Sequence, residues 1–479
     1  MSGGFRLADA LANASLRGPR WAPLVEGERR VEVASLDREA DAVARDLAAS
    51  GAGSGTRVAL RVRNNAAHLA AMFGVWRAGG VLVPLSPRLT DAEVEGLLEH
   101  ASVTRVLDVA DAGERSLSSR AAPPSPDDSA AASDALAVIA YTSGTTGRPK
   151  GVELTHANLL WAATAVARTR RDDARSVAVA MSPLCHVPVF VSHYLARVLT
   201  GGTVLLGAFD AERVATAIRD HGVTDLPLVP AMVDRLLASA RSGGDTLRKV
   251  TVGSAHTPMA VKQALAERFP QAEILEAYGQ TECTDGLTMT VGREALAHPG
   301  TVGRPHALVV VATQAPDGRM LDSGERGEIV VRGPTVMRGY LDAPELTAEV
   351  FRGGWLRTGD LGRFDADGLL FVEGRLKEVI ISGGENVSPD EVEAVLAAHP
   401  AVVEVAVFGA RHARWGEQVA AAVVSRGPLS TEELREFARA KLASFKLPRD
   451  LLLVESLPRT SAGKVKRAEL RDRYERERA

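Results

Sequence analysis

Cysteine is scarce in this sequence, which has only Cys185 and Cys283 among 479 residues. Two thiols are too few for a disulfide framework, and their separation does not match the spacing of a metal site. We interpret both as small, soft side chains. The sequence is therefore unlike the disulfide-rich class of small secreted proteins.

An excess of charge and long apolar runs are also missing. Lys and Arg number 57, Asp and Glu number 60, and the formal net charge is -3, so no global field attracts nucleic acid or an anionic membrane. No stretch reaches the roughly 20 apolar residues that span a bilayer, and residues 1–20 lack a signal-peptide core. We therefore expect a cytoplasmic protein without a nucleic-acid partner or membrane span, and we leave open whether it forms a homodimer.

The chain does contain enough apolar material, 46% of its residues, for more than one hydrophobic core. Its length predicts two or more domains. Helical spacing of apolar residues is followed by strand-like alternation at 36–63, at 66–87 and at 212–230, which predicts an α/β fold. A stretch rich in Ser, Pro and Ala at about 114–134 has little to bury and predicts a surface linker.

The pattern changes near Gly374. A strand, a glycine turn and a helix with Ser388 as N-cap and Pro389 at its first position follow, and then a second strand. Another strand at 419–425, a helix at 431–442 and an exposed basic tail after Pro458 complete the chain. We predict a large N-terminal multi-sheet α/β domain (1–376) and a small, mobile α+β domain (377–479) joined by a hinge.

The richest motif is YTSGTTGRPKG at 141–151, directly after an apolar strand. Small residues let backbone N–H groups and hydroxyls approach a polyphosphate, and Lys150 can neutralise its charge. The spacing differs from the Walker pattern. We therefore predict a phosphate-binding loop of another kind.

This motif resembles the signature of the acyl-adenylate-forming superfamily, which includes acyl-CoA synthetases, aryl-CoA ligases and adenylation domains. Further matching motifs follow in the same order: YGQTE (278–282), WLRTGDLG (355–362), GRLKE (374–378), SGGENVSPDEVE (382–393) and PRTSAGK (458–464). VMRGYLDAPELTAEVF (336–351) and HARWGEQVAAAVV (412–424) resemble the acyl-CoA and aryl-CoA ligases in particular.

The resemblance implies a nucleotide site with Mg²⁺. Glu282 would hold the metal, which takes few protein oxygens together with phosphate oxygens, and Thr281 would contact phosphate. Asp360 and Arg375 would bind the ribose. A carboxylate can accept hydrogen bonds from both ribose hydroxyls. The remaining residues that the resemblance assigns to ATP are Thr142, Ser143, Gly144, Thr145, Thr146, Gly147, Lys150, Gly253, Ser254, Ala255, Glu276, Ala277, Tyr278 and Gly279.

The small domain would supply a mobile cation to the first half-reaction. In a second orientation it would serve the transfer to the thiol. The resemblance places Lys464 between the carboxylate and the α-phosphate, where it offsets charge that builds in the transition state. Lys377 would be the hinge residue. The other orientation would bring the turn Ser382–Gly383–Gly384 and a thiol tunnel to the adenylate, and Trp415 and Phe445 would contact coenzyme A.

The acyl pocket is the least defined part. His186 matches the histidine that the family places beside this pocket. Val189 stands where the family usually has glycine, which makes the wall bulkier and disfavours a long, straight acyl channel. His193, His256 and Thr284 predict an unusually polar pocket, although both histidines also fit a surface or core position.

These observations favour an AMP-forming acyl-CoA ligase that uses ATP, Mg²⁺ and coenzyme A on a small, polar or aromatic carboxylic acid. Two alternatives stay open at this point: an adenylation enzyme that loads the phosphopantetheine of a separate carrier protein, and adenylation of a non-carboxylate substrate in natural-product tailoring. A degenerate binding protein is disfavoured because Lys150, Glu282, Asp360, Arg375 and Lys464 are all present.

Replacing Lys464 tests the whole interpretation. We expect Lys464→Ala to slow adenylate formation by about 100-fold or more, because the charge that develops at the α-phosphate loses its cation. Acid-dependent pyrophosphate release measures this rate. Lys466→Ala, two residues beyond the motif, is the control and should behave as the parent; an unimpaired Lys464→Ala protein would contradict the assigned reaction.

Overall fold

A computed structural model of the protein describes residues 5–110, 113–120, 133–142, 149–239, 245–254, 257–376, 379–458 and 465–478. The strands of the large α/β domain end at Arg375, and those of the small α+β domain begin at Ile380. The predicted fold class is confirmed. The predicted boundary at 376/377 falls between these two strands, and we propose it as the domain boundary.

The helices fall into two groups. Those of the large domain are α1 (Leu7–Leu16), α2 (Val33–Ala49), α3 (Ala66–Arg77), α4 (Asp91–His100), α5 (His156–Arg170), α6 (Val187–Val189), α7 (Ala196–Thr200), α8 (Ala211–His221), α9 (Pro230–Leu237), α10 (Met259–Arg268), α11 (Glu294–Ala297) and α12 (Pro344–Val350). A π-helical turn, Phe190–Leu195, joins α6 to α7. The small domain contains α13 (Pro389–Leu396), α14 (Thr431–Arg439) and α15 (Arg467–Arg478).

The strands divide in the same way. Those of the large domain are β1 (Leu24–Glu26), β2 (Arg29–Val31), β3 (Arg57–Arg61), β4 (Val81–Leu85), β5 (Arg105–Val109), β6 (Arg115–Ser119), β7 (Leu136–Thr142), β8 (Lys150–Thr155), β9 (Val177–Ala180), β10 (Thr203–Leu206), β11 (Asp225–Leu228), β12 (Lys249–Val252), β13 (Glu273–Gly279), β14 (Gly286–Met289), β15 (Thr301–Pro305), β16 (Val310–Gln314), β17 (Gly327–Arg332), β18 (Gly339–Tyr340), β19 (Phe351–Arg352), β20 (Trp355–Phe364) and β21 (Leu370–Arg375). The small domain contains β22 (Ile380–Ser382), β23 (Glu385–Val387), β24 (Val402–His412), β25 (Gly416–Ser425) and β26 (Asp450–Leu453).

In the described part of the chain these strands form three sheets. The first has the order β18-β8-β7-β4-β3-β5-β6. The second runs β16-β17-β20-β21-β15-β14-β13-β12-β11-β9-β10-β1-β2, with β19 beside β20. Its strands β9 to β13 are parallel. The strands of this sheet that follow β13 in the chain pair antiparallel. The sheet of the small domain has the order β23-β22-β25-β24, with β26 beside β25.

Helix α3 shows how local sequence and packing agree. Asn65 caps it by accepting the N–H of His68 at 2.9 Å, as asparagine does at this position. The helix is apolar on almost every side because it is covered by α2 and by the π-helical turn: Trp76 lies 5.4 Å from Phe190 between ring centroids. A Cβ on Gly74 would lie 2.4 Å from Cβ of Val43, so only glycine permits this close contact of α2 and α3.

The C-terminal segment corrects the sequence prediction. The expected exposed basic tail contains helix α15, and its Leu470 and Tyr474 are buried. The Tyr474 ring packs edge-on against Phe408 at 5.9 Å, and its hydroxyl donates to Asp450 at 2.8 Å. The many Arg and Glu residues around these two apolar positions concealed the buried face. The predicted linker at 114–134 also contains structure, since residues 115–119 form the edge strand β6.

Two expectations from composition can be compared with the structure. Cys185 and Cys283 are both buried, and burial raises the pKa of Cys185 to about 12, so its thiol stays protonated at neutral pH. Among the helices in the described part of the chain, none has the length and apolar composition that crossing a bilayer requires.

The buried face of α15 yields a stability prediction. Leu470 is 1% exposed, and we expect Leu470→Ala to lower the free energy of unfolding by about 2–4 kcal/mol, because the substitution removes buried methyl groups and leaves a cavity. Urea unfolding monitored by circular dichroism measures it. Arg473→Ala on the exposed face of the same helix should change stability by less than about 0.5 kcal/mol; an equal loss in both variants would contradict the buried face.

Candidate active site

The carboxyl ends of the parallel strands bring several predicted residues to one edge of the second sheet. His186 follows β9, Val229 follows β11, Gly253 and Ser254 follow β12, and β13 ends at Gly279. In open α/β sheets this edge is where ligands bind. The described part of the predicted site is therefore assembled by strand direction.

The predicted phosphate-binding loop lies between two antiparallel strands of a hairpin. Thr142 at the end of β7 pairs with Lys150 at the start of β8, so the two ends of the loop are adjacent. Its residues Ser143, Gly144, Thr145, Thr146 and Gly147 lie outside the described residues. Their roles in binding phosphate stay predictions.

Next to this hairpin, the side chains of a lysine, a tyrosine and a glutamate contact one another in a row. The ammonium of Lys150 lies 5.0 Å from the centre of the Tyr340 ring, a cation–π distance. The Tyr340 hydroxyl donates to Oε1 of Glu282 at 3.0 Å. Glu282 and Thr281 belong to a short 3₁₀ turn. The structure thus brings the predicted phosphate ligand Lys150 close to the predicted metal ligand Glu282, and Tyr340 connects them.

Asp360, one of the two residues predicted to bind ribose, is hydrogen-bonded by a second tyrosine. The hydroxyl of Tyr278 donates to Oδ2 of Asp360 at 2.7 Å, and Asp360 is 2% exposed. Burial and the neighbouring Asp360 carboxylate raise the pKa of Tyr278 well above its usual value, so the phenol keeps its proton. Asp360 lies within strand β20, and its backbone pairs with that of Arg375 on β21.

Several of the residues predicted to bind ATP at 253–279 lie close to their neighbours. A Cβ on Gly279 would lie 2.2 Å from the carbonyl oxygen of Asp285, so glycine is required there. Ser254 has a φ of 67°, in the left-handed region that a serine rarely adopts. Glu276 is buried in an ion pair with Lys262, so its carboxylate is committed to the core. Ala277 precedes Tyr278 on β13, and Ala255 lies outside the described residues.

The small domain reaches the same sheet edge. The turn Ser382–Gly383–Gly384 packs on the large domain, where a Cβ on Gly384 would lie 3.4 Å from Cγ1 of Val229. Glu385, the next residue, lies 3.5 Å from Nε2 of His186 and 2.6 Å from the guanidinium of Arg88. Burial opposes the negative charge of Glu385, but His186 and Arg88 outweigh it and lower its pKa. Sequence reasoning missed Glu385 and Arg88 because they are distant in the chain.

An aromatic and basic surface lies beside this turn. Trp415 stacks on His412 with 4.0 Å between centroids, and the guanidinium of Arg449 lies 3.7 Å from the Trp415 ring. A Cβ on Gly383 would lie 3.4 Å from this indole. Phe445 lies 4.8 Å below the Arg88 guanidinium. The two residues predicted for coenzyme A therefore stand next to cations that could bind its phosphates.

The predicted polar acyl pocket stays a prediction. Thr284 is fully buried and donates to the carbonyl of Thr335 at 2.6 Å, so its hydroxyl already has a protein partner. Burial, with the positive charges of Arg170 and Arg197, lowers the pKa of His193 to about 3, so its ring is neutral. His256 lies outside the described residues, as do Lys377 and Lys464.

Asn64 positions the loop that leads to His186. Its amide nitrogen donates to the carbonyls of Ala180 and Ser182 at 3.2 and 2.7 Å, and its amide oxygen accepts the N–H of Leu184 at 2.9 Å. The residue lies after strand β3 of the first sheet. No sequence signal distinguishes it, because its partners lie more than a hundred residues away.

Comparisons with known proteins identify the family. Residues 11–341 match the family model for AMP-binding enzymes, and residues 391–464 match that for the C-terminal domain of AMP-binding enzymes. A feruloyl-CoA synthase from an Amycolatopsis species is 35% identical, over 95% of this chain and 96% of that protein. A 2-succinylbenzoate–CoA ligase from Bacillus licheniformis is 33% identical, over 93% of this chain and 96% of the ligase.

Two solved structures of one synthetase superpose on this chain to different extents. A double mutant of o-succinylbenzoate CoA synthetase from Bacillus subtilis, bound to a product analogue, superposes with a TM-score of 0.88 at 28% identity, over 97% of this chain and 98% of that one. The same synthetase with its acyl-adenylate intermediate gives 0.71 at 29% identity, over the same shares of both chains. The present chain therefore resembles the product-analogue complex more closely.

The tyrosine beside Asp360 can be tested directly. We expect Tyr278→Phe to raise the KM for ATP about tenfold, equivalent to about 1.4 kcal/mol, because the buried carboxylate loses the hydroxyl that orients it. Steady-state kinetics at varied ATP measure this. Tyr474→Phe removes a matched tyrosine–aspartate hydrogen bond in the small domain and should leave this KM unchanged; equal effects of both variants would argue against a local role.

Proposed function

The chain belongs to the AMP-binding enzyme family and is an acid–thiol ligase, and we propose that it activates an aromatic carboxylic acid with ATP and transfers the acyl group to coenzyme A. The observation that carries the proposal is the position of the small domain. Its glycine turn and its aromatic, basic surface lie at the carboxyl edge of the second sheet. Several of the residues predicted to bind ATP lie at the same edge. A thiol that entered along this surface would reach the adenylate.

The first half-reaction requires a triphosphate and a carboxylate to approach each other. The hairpin loop at 142–150 would hold the phosphates, and Asp360 with Arg375 would fix the ribose. Lys464 would lie between the two anions and stabilise the transition state electrostatically. The carboxylate oxygen attacks the α-phosphorus, pyrophosphate leaves, and an acyl adenylate remains.

The residues around Glu282 fit a magnesium ion. Tyr340 donates to Oε1 of Glu282, which orients the carboxylate. Mg²⁺ usually takes one or two protein carboxylates together with phosphate oxygens and water. Within the described ranges no cluster of three or more metal-binding side chains occurs, which is compatible with a metal held mainly by ATP. Bound there, Mg²⁺ would supply charge neutralisation for the phosphates.

In the second half-reaction the thiolate of coenzyme A attacks the acyl carbon and AMP leaves. Trp415, Phe445 and Arg449 would bind the nucleotide end of coenzyme A, and the Gly383–Gly384 turn would line the path of its thiol. Positions 383 and 384 carry no side chain, and their φ values of 61° and 87° suit glycine.

The acid class is inferred from the pocket wall and from the relatives. Val189 ends α6 and is followed by the buried Phe190, which packs against Trp76. This bulky wall opposes a long, straight chain. The relatives reported above are named for ferulate and 2-succinylbenzoate, both of which contain an aromatic ring. An aromatic acid therefore suits this chain better than a long-chain fatty acid.

A panel of acids tests the proposed function. We expect ATP-dependent formation of a CoA thioester with ferulate, indole-3-acetate or 2-succinylbenzoate, and a kcat/KM for palmitate lower by about 100-fold, because the wall at Val189 excludes it. Thioester formation is followed by mass spectrometry. Adenylate that forms but passes only to a carrier-protein phosphopantetheine would favour the alternative acceptor, and the absence of acid-dependent pyrophosphate release would contradict the function.

A further inference from the structure

Lys446 lies where the two domains meet and binds one carboxylate from each. Its Nζ lies 2.8 Å from Oε1 of Glu93 in the large domain and 2.6 Å from Oε1 of Glu391 in the small domain. The Lys446 side chain is 9% exposed and both glutamates are 11% exposed. Because water screens these charges poorly, the contact differs from an ordinary surface ion pair.

Both glutamates are held by the caps of helices. Glu93 is the third residue of α4, and its Oε2 accepts the backbone N–H of Thr90 at 2.9 Å, which completes a capping box. Its Oε1 is the atom that faces Lys446. Glu391 is the third residue of α13, whose N-cap is Ser388. Because the capping box already fixes the Glu93 side chain, that side chain loses little rotamer freedom when it binds a cation. Glu391 takes part in its cap through its backbone N–H, which donates to Ser388.

The two bonds of Lys446 differ in what a rotation of the small domain would do to them. Glu391 and Lys446 belong to the same domain and would move together. Glu93 belongs to the large domain and would be left behind. Burial disfavours the charged ammonium, but Glu391 and Glu93 outweigh this effect and raise the pKa of Lys446. The ammonium therefore stays charged in the observed orientation.

The segment that precedes Glu93 makes a second contact with the small domain. Arg88 lies 2.6 Å from Glu385 and stacks over the ring of Phe445. Phe445 is adjacent to Lys446 in the chain, and Glu385 follows the Gly383–Gly384 turn. The bond between Glu93 and Lys446 thus fixes the part of the small domain that faces the site.

We propose that Glu93 and Lys446 form a latch that holds the small domain in its thioester-forming orientation, with Glu391 keeping Lys446 in place. Glu93 and Lys446 are positioning residues, since they act through the orientation of the small domain and do not contact the substrate. The proposal rests on the proposed function, which identifies the observed orientation with the second half-reaction. A latch raises the fraction of molecules in this orientation and thereby the apparent affinity for coenzyme A.

Glu93→Gln is the sharpest variant, because glutamine at the third helix position still closes the capping box while the charge is lost. With ferulate as the probe, we expect ATP–pyrophosphate exchange to stay within about twofold of the parent, and single-turnover formation of the thioester to fall about tenfold. The KM for coenzyme A should rise by about the same factor.

Two further variants separate the latch from general damage. Glu95→Gln makes the same charge change in α4, but Glu95 pairs with Arg120 inside the large domain, so both half-reactions should match the parent. Lys446→Met should impair thioester formation. The double variant Glu93→Gln/Lys446→Met should be no slower than Lys446→Met alone, because the two residues act through one bond.

The orientation itself can be measured without an acid. Spin labels at Leu16→Cys and Val403→Cys, which are 88% and 51% exposed in the parent residues, report the distance between domains, and the two native thiols are buried. With coenzyme A present, Glu93→Gln should increase the share of a second distance. An unchanged distance distribution, or equal slowing of both half-reactions, would overturn the latch. A parent that forms no adenylate with any acid would overturn the proposed function, while the label measurement would still decide on the latch.

Discussion

The shared direction of strands β9, β11, β12 and β13 is the constraint on which the site depends. Parallel strands end at one edge, so the loops that carry His186, Val229, Ser254 and Gly279 converge although they are far apart in the chain. The antiparallel strands that follow extend the same sheet and bring Asp360 beside Tyr278. Without this common edge the individual motifs would have no shared ligand.

Two tyrosines connect the motifs of the site. Tyr340 bonds Glu282 and lies against Lys150, while Tyr278 bonds Asp360. In both places a phenol donates to a carboxylate that the reaction would use, and the pKa of each phenol is raised, mainly by burial. Proton donors of this kind orient a carboxylate without neutralising it. These are the two carboxylates for which metal binding and ribose binding are predicted.

If one pocket serves both proposed half-reactions, the small domain would have to change position. The proposed adenylation step would need a cation at the phosphate, and the proposed thiol step would need an open path at the same place. The observed arrangement has the Gly383–Gly384 turn against Val229 and charged contacts from Arg88 and Glu93 to the small domain. Under the proposed function, these contacts would stabilise the observed arrangement.

The sequence alone predicted the α/β fold with a large and a small domain, and the family, because apolar periodicity and the ordered motifs are carried by short local segments. The roles of Glu282 and the other nucleotide-site residues stay predictions from the resemblance. It also identified the cap at Ser388, since capping involves neighbouring residues. The buried face of α15, the committed carboxylate of Glu276 and the buried Thr284 emerged only from packing. Only the tertiary structure could pair Lys446 with Glu93 or Asn64 with the loop at 180–184, because such contacts depend on how distant segments are brought together and leave no periodic pattern in either segment.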